Sequence, residues 1–509
     1  MDENNWRKDG GKTEDGGQID GKDGQIAEDG GQAAVHGQLG FWSLAAVITG
    51  STIGSGIFTI TADMAAGGAH TGAVLIGWLI CGIGMMGLMM SYFGLNRVRP
   101  DLTNGVYSYA REGFGEFVGF NSAWGYWLSA LLSNVSYMTL LFGAIGYFFP
   151  VFGNGNNLIS VICASIVVWL GNMLVLQGVK EAAGISIITT IAKLVPILVF
   201  IVAVIFVKAF DSDIFFDNFW GDGTMSLSAQ IKETTSATVW SFIGIEGAVV
   251  LSGRARRTED VGKASITAFL GILAIYVMVA VLSLGVMPIR ELAGLENPQM
   301  AGILEYAVGP WGAAIVNIGV ILSLAGALLG WTIIAADCPY SAARQGVFMK
   351  VFAKSNSHGS PSFSLYLTNG IIQLFIIVGY FSASTYQAFY TLSTAMIMIP
   401  YLFSAAYYLK ISLRGEGFAK DESHSLMSAR IFAFIGTVYG VWMLYSGGLD
   451  YVLITTVLYA PGIIIYCLGK KERGEKFFAY GWEKGIAVGL VAAAVVSVYM
   501  ISTGTLRPF

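Results

Sequence analysis

The chain has 509 residues, of which 55% are hydrophobic and 12% charged, about half the charged fraction of an ordinary soluble domain. A net charge of −4 with no basic block excludes nucleic acid as a partner. The lipid bilayer is the expected surrounding for a chain this apolar.

Residues 1–39 differ from everything that follows. The stretch DGGKTEDGGQIDGKDGQIAEDGGQ holds too few apolar residues to bury a core, so a disordered cytoplasmic tail is expected. It also lacks the apolar run of a signal peptide. From residue 40 onward there are thirteen apolar segments, near 40–66, 72–96, 115–148, 157–176, 182–207, 233–253, 264–288, 309–340, 363–381, 385–409, 430–446, 449–469 and 485–503. Roughly 20 apolar residues cross a bilayer. The expected class is therefore an all-α polytopic membrane protein with about 13 transmembrane helices.

The charges orient it. With the N-terminus in the cytoplasm, twenty Lys and Arg residues fall in cytoplasmic loops, among them Arg97, Arg111, Lys180, Arg254, Arg256, Arg257, Arg344, Lys420 and Lys484. Only Lys208, Lys232, Arg290 and Arg507 fall on the other side. By the positive-inside rule the protein is multi-pass in the plasma (cytoplasmic) membrane, N-terminus cytoplasmic and C-terminus extracellular.

Two spans are interrupted alike. The first reads LAAVITGSTIGSGIFTIT, with Gly50, Gly54 and Gly56 in its middle; the sixth reads TVWSFIGIEGAVVLSG, with Gly244 and Gly247 flanking Glu246. Clustered glycines favour unwinding, since each costs a helix about 1 kcal/mol relative to alanine. Broken backbone is tolerated at membrane depth only where it is buried in protein or lines a cavity. Paired breaks at matching places in two halves point to a secondary transporter's substrate site. Half-helix N-termini can hold an anionic group through main-chain N–H groups, and carbonyls opposite can take an ammonium. Two facing breaks thus suit the backbone of an α-amino acid. The competing reading is that these glycines only let helices pack closely; the two breaks, 190 residues apart with Ile-Gly in each, favour a site.

Catalytic and metal chemistry find no support. Cys81, Cys163, Cys338 and Cys467 stand singly in apolar segments, and the four histidines lie in the tail or loops. Buried free thiols are expected. No hydrolytic triad, phosphate loop, cofactor site or metal site is present in the pattern.

GSTIGSGIF in the first span and FIGIEGAVVLSGRARRTEDVGKA at 242–264 resemble the amino acid–polyamine–organocation superfamily. Within it the chain is most similar to the basic amino acid/polyamine antiporters of the arginine/ornithine branch. The resemblance implies a five-plus-five inverted-repeat transporter fold with broken spans 1 and 6. It places the first repeat at 40–207, the second at 233–409 and accessory spans at 430–503. It implies that Ser51, Thr52, Ile53, Gly54, Ser55 and Gly56 take the substrate carboxylate, and that carbonyls of Ile243, Gly244 and Ile245 take the amino group. Trp240 matches an aromatic that covers the substrate, and Trp331 one that lies along an arginine-like side chain. Tyr126 matches a gate aromatic, Asn134 a side-chain contact, and Ser393 and Thr394 add tenth-span contacts. Tyr137 falls where related carriers have a methionine, which alters the side-chain pocket.

Each position has a plainer reading. Most of the twelve tryptophans should be interfacial anchors, and Asn134 could simply bond a neighbouring helix. Glu246 is harder to explain away, because a charge at mid-bilayer costs on the order of 2.5–3.5 kcal/mol on insertion scales. It is read as sensing a cationic substrate, taking a proton or coupling the gate to occupancy. It is also the only acid expected near the pocket. Lys193 in TIAKLVP is the other buried charge. In sodium-coupled relatives of the fold a cation holds spans 1, 5 and 8 together; a lysine there resembles that ion and implies sodium independence.

The function expected is exchange of basic amino acids, arginine entering against ornithine. The alternatives are a proton-coupled or precursor/amine carrier on the same fold, and a non-transporting sensor or membrane enzyme. Expected partners are small-molecule amino acids and lipid, with a homodimer as a further option.

Overall fold

The computed structural model describes residues 40–102, 106–178, 182–246, 258–381, 385–418 and 423–506. Among these residues all regular structure is helical. Ten helices are long and apolar enough to cross a membrane: Thr71–Val98, Glu116–Phe148, Leu158–Leu176, Val261–Val286, Pro310–Arg344, Ser362–Tyr380, Tyr386–Arg414, Ser425–Ser446, Asp450–Arg473 and Gly481–Ser502. They occupy the expected spans 2, 3, 4 and 7 through 13. The three remaining spans are the fifth, a helix at Ala182–Phe206, and the two broken ones.

The third span forms the centre. Glu116–Phe148 starts after Gly115, whose φ of 95° turns the chain into the helix, and ends where Phe149 is extended before Pro150. Beyond Glu116 it holds no charged residue and no proline, and it is buried along nearly its whole length. The tenth and eighth spans pack against it most extensively. The last span is its opposite, with Val488, Val495 and Tyr499 exposed on a lipid-facing surface.

Close helix approach is set by small residues. A Cβ on Gly87 of the second span would lie 2.7 Å from the backbone nitrogen of Gly436 in the eleventh. Such contacts replace the hydrophobic drive that lipid cannot supply.

The helices between spans were not foreseen. Val106–Phe114, Ile289–Ala293 and Gln299–Val308 are too short or too polar to register as membrane segments. The last of these lies in the loop between spans 7 and 8 and bears on the site. The expected tail at 1–39, Gly247, Gly253, Arg254, Arg256, Arg257, Lys180, Lys420 and Arg507 lie outside the described residues. All four cysteines are free thiols, Cys81 and Cys338 buried.

Candidate substrate site at two helix breaks

The first span stops and restarts where its glycines lie. The helix Phe41–Thr52 ends at Ile53, whose ψ of 103° is extended. A single 3-10 turn follows at Gly56–Phe58, and the helix Ile60–Ala66 completes the crossing. The leading N–H groups of a restarted helix have no partner within it, so this stretch offers donors at mid-depth. Thr52, Ile53, Ser55 and Gly56 are buried there and Gly54 half-buried. Ser51 sits in the last turn of the first half-helix; its side chain is outside the described detail.

The first helix of the sixth span ends against this stretch. The helix Leu227–Phe242 ends at Ile243, extended at ψ 128°, and Gly244 adopts φ +104°, a conformation that side-chain-bearing residues rarely take. Ile243 and Ile245 are buried beside it. A Cβ on Gly56 would lie 2.9 Å from both Trp240 Cδ1 and Ser241 Oγ. Glycine at 56 is therefore what lets the two breaks touch.

Aromatic rings cover this junction. Trp240 stacks on Tyr390 at 5.5 Å between centroids and meets Tyr137 at 5.6 Å. Tyr386 packs on Tyr390, and its hydroxyl lies 3.4 Å from Ser55 Oγ and 3.2 Å from Thr59 Oγ1. Three buried polar atoms here have no hydrogen-bond partner in the protein: Thr52 Oγ1, Asn134 Oδ1 and Trp240 Nε1. Unpaired buried groups are costly, and these three sit on the elements that meet at the breaks.

Lys193 reaches the end of the first half-helix. Its Nζ donates to the carbonyls of Gly50 at 2.8 Å and Ile53 at 2.7 Å. The ammonium thereby satisfies two acceptors that the break frees from helical bonding.

Glu246 gathers three donors. Tyr126 Oη donates to Oε1 at 2.9 Å, Tyr401 Oη to Oε2 at 2.5 Å, and the Gly244 N–H to Oε2 at 3.1 Å. One carboxyl thus joins the third, sixth and tenth spans. Tyr401 escaped the sequence reading because nothing in PYLFSAAYYL marks one tyrosine over its neighbours.

Other expected residues are placed differently. Ser393 bonds Ser129 Oγ at 3.0 Å, Ser133 Oγ at 2.9 Å and the Ser129 carbonyl at 2.8 Å. It is committed to joining the third and tenth spans. Thr394 bonds the Tyr390 carbonyl of its own helix. Trp331 is half-buried on the eighth span and has no ring contact with the Trp240 group among the described residues. Glu246 is not the sole nearby acid: Asp63, on the second half of the first span, is buried as well.

The amino acid permease family profile matches residues 39–468. The chain belongs to that family. The permease is 43% identical over 478 residues to a Pseudomonas aeruginosa protein named Arginine/ornithine antiporter, spanning 92% of this chain and 98% of that one. It is 39% identical over 478 residues to a Chlamydia abortus protein named Arginine/agmatine antiporter, again spanning 92% and 98%. Among solved structures it resembles MhsT in complex with L-phenylalanine, with TM-score 0.57, 14% identity, and 80% of the permease and 98% of that chain covered. It also resembles a Na+-coupled sialic acid symporter, with TM-score 0.51, 13% identity, and 82% and 90% covered. The permease is a multi-pass membrane protein with the expected inverted-repeat transporter fold.

Proposed function

We propose that this permease exchanges arginine for ornithine across the cell membrane. The observation that carries the reading is the relationship to the P. aeruginosa antiporter along nearly the whole of both chains. The two facing breaks add a physical rationale. Main-chain N–H groups at 52–56 would hold the substrate carboxylate, and carbonyls at 243–245 its ammonium. Asn134 and Trp240, each with an unpaired polar atom, would meet the substrate directly, and Trp331 would lie along its side chain. Tyr126, Glu246 and Lys193 would govern closure.

The charge distribution supports a cytoplasmic N-terminus, so the face on which the first span ends is the outer one. Residues 40–207 and 233–409 are assigned as the two inverted repeats, and 430–503 as accessory spans.

The Chlamydia relatives favour a second reading, arginine against agmatine. The two differ in charge. Arginine and ornithine each carry one positive charge, whereas agmatine lacks the carboxylate and carries two. Proteoliposomes loaded with ornithine should take up labelled arginine, and an imposed membrane potential should leave the rate nearly unchanged. A strong response to potential, or exchange with agmatine but not ornithine, would replace the first reading with the second.

A further inference from the structure

Asp63 lies two turns beyond the first break, on the outer half of the first span, and its place in the structure is not explained by the site already described. It is buried, yet its Oδ1 accepts two amide N–H groups from separate elements. Gln387 Nε2 of the tenth span donates at 2.6 Å and Gln299 Nε2 of the loop helix Gln299–Val308 at 3.1 Å. The carboxyl thus pins the outer half of the first span to both elements that close over it.

The surroundings point to a ligand. A narrow crevice next to this clasp is lined by Thr59, Thr61, Ser283 and Gln299 among apolar residues such as Ile57, Val279 and Met300, and Gln299 is the residue it shares with the clasp. Gln299 Oε1 and Thr61 Oγ1 have no hydrogen-bond partner, although Gln299 is 4% and Thr61 3% exposed. Gln299 thus bridges the Asp63 carboxyl to the crevice, where its own amide oxygen and the Thr61 hydroxyl are idle. Three oxygen acceptors suit a planar group with several N–H donors and a positive charge.

We infer that Asp63, Gln299 and Thr61 form an outer station for the cationic side chain of the substrate, and that its arrival releases the clasp that Gln299 and Gln387 hold on Asp63. A guanidinium has donors enough to replace both amide N–H groups on the carboxyl and to engage the two idle oxygens. The station selects for positive charge before the substrate reaches the breaks. Glu246, bonded to Tyr126 and Tyr401, closes the inward side, so the two broken spans each carry one acid clasp on opposite sides of the site. This inference rests on the cationic substrate and the orientation proposed above.

The test compares arginine saturation in right-side-out and inside-out membrane vesicles. Asp63→Asn keeps the shape and an acceptor oxygen but removes the charge. It should raise the half-saturating arginine concentration at the outer face about tenfold, the order of one charge-assisted hydrogen bond, with a much smaller change at the inner face. Equal changes at both faces, or none at the outer one, overturn the station. A second measurement needs no arginine. Thr61→Cys, in a chain whose four cysteines are replaced by serine, is labelled with a membrane-impermeant maleimide. Adding Gln387→Ala should speed that labelling several-fold, and an unchanged rate overturns the clasp. Vesicles of the parent that exchange no arginine at all would instead defeat the function proposed above, and the labelling result would still decide the clasp.

Discussion

Tyr401 Oη donates to Glu246 Oε2 across 2.5 Å, fastening the tenth span to the break in the sixth. Tyr126 reaches the other oxygen of the same carboxyl from the third span. Two phenols and one acid thus tie the third and tenth spans to the break in the sixth.

Tyr401→Phe removes the shorter of these bonds at almost constant volume. A hydrogen bond to a charged group is worth about 1.5–3 kcal/mol, so the arginine exchange rate should change at least several-fold. Tyr126→Phe should have a smaller effect, because that bond is longer and its residue half-buried. Glu246→Gln should blunt recognition or gating. Exchange kinetics in proteoliposomes check all three; an unaltered rate and specificity in Glu246→Gln would leave the acid a packing role only.

The glycines at the breaks should differ in sensitivity. Gly56→Ala would press a methyl group to 2.9 Å from Trp240 Cδ1 and Ser241 Oγ, prising the two breaks apart. Gly244→Ala must hold φ near +104°, at roughly 1–2 kcal/mol. Gly54→Ala would meet only Tyr137 Oη, at 3.2 Å. Equilibrium binding of labelled arginine to purified protein should fall most for Gly56→Ala and least for Gly54→Ala. The reverse order would mean that Gly56 is not the point where the breaks meet.

Lys193→Ala strips the ammonium from the carbonyls of Gly50 and Ile53. An unsatisfied buried acceptor costs about 1–3 kcal/mol, so thermal stability in detergent and transport should both fall. Exchange by the unmutated permease should not respond to sodium at constant ionic strength. A strong rise with sodium would show that the lysine does not take a cation's part.

The two tryptophans should separate by substrate. Trp240 is packed into the aromatic cover between Tyr137 and Tyr390, so Trp240→Ala should weaken every substrate. Trp331 lies outside that group, and Trp331→Ala should lower arginine affinity several-fold, the range of about 0.5–2 kcal/mol for a cation over an aromatic face. A small zwitterion such as alanine should be indifferent to it. Competition against labelled arginine measures both, and equal losses for all substrates would make Trp331 a packing residue.

What the sequence reveals here depends on how local the signal is. Span positions are legible because apolar length is a property of one segment, and the breaks because glycine acts on its own backbone. The reach of Lys193 to the first span is implied by the family resemblance; a charge so deep in a span demands an acceptor, but the residues alone do not say which span supplies it. Asp63 was passed over because one acid in ITADMAA looks like the end of a span. Its partners Gln299 and Gln387 come 236 and 324 residues later. Tyr401 is hidden for the same reason, being one tyrosine among many until folding sets it against Glu246. The bonds of Ser393 to Ser129 and Ser133 are not legible because a hydroxyl that glues two helices and one that binds a substrate are the same residue in a sequence. The loop helix Gln299–Val308 is too short for its periodicity to stand out, yet it supplies one side of the Asp63 clasp.

The ammonium on Ile53 has a thermodynamic consequence beyond holding two spans together. A dissolved ion that stabilises a closed state does so in proportion to its concentration, and a difference in that concentration between compartments can be converted into work on a second solute. Lys193 is attached to the chain. It has no concentration to vary, is never released to either compartment, and crosses no net distance in a cycle. A position so occupied contributes structure to every molecule equally and gives a sodium gradient nothing to act on. The direction of net movement through such a protein must then be set by whatever else differs across the membrane, and for an obligatory exchanger of two like-charged amino acids that is the ratio of their own concentrations.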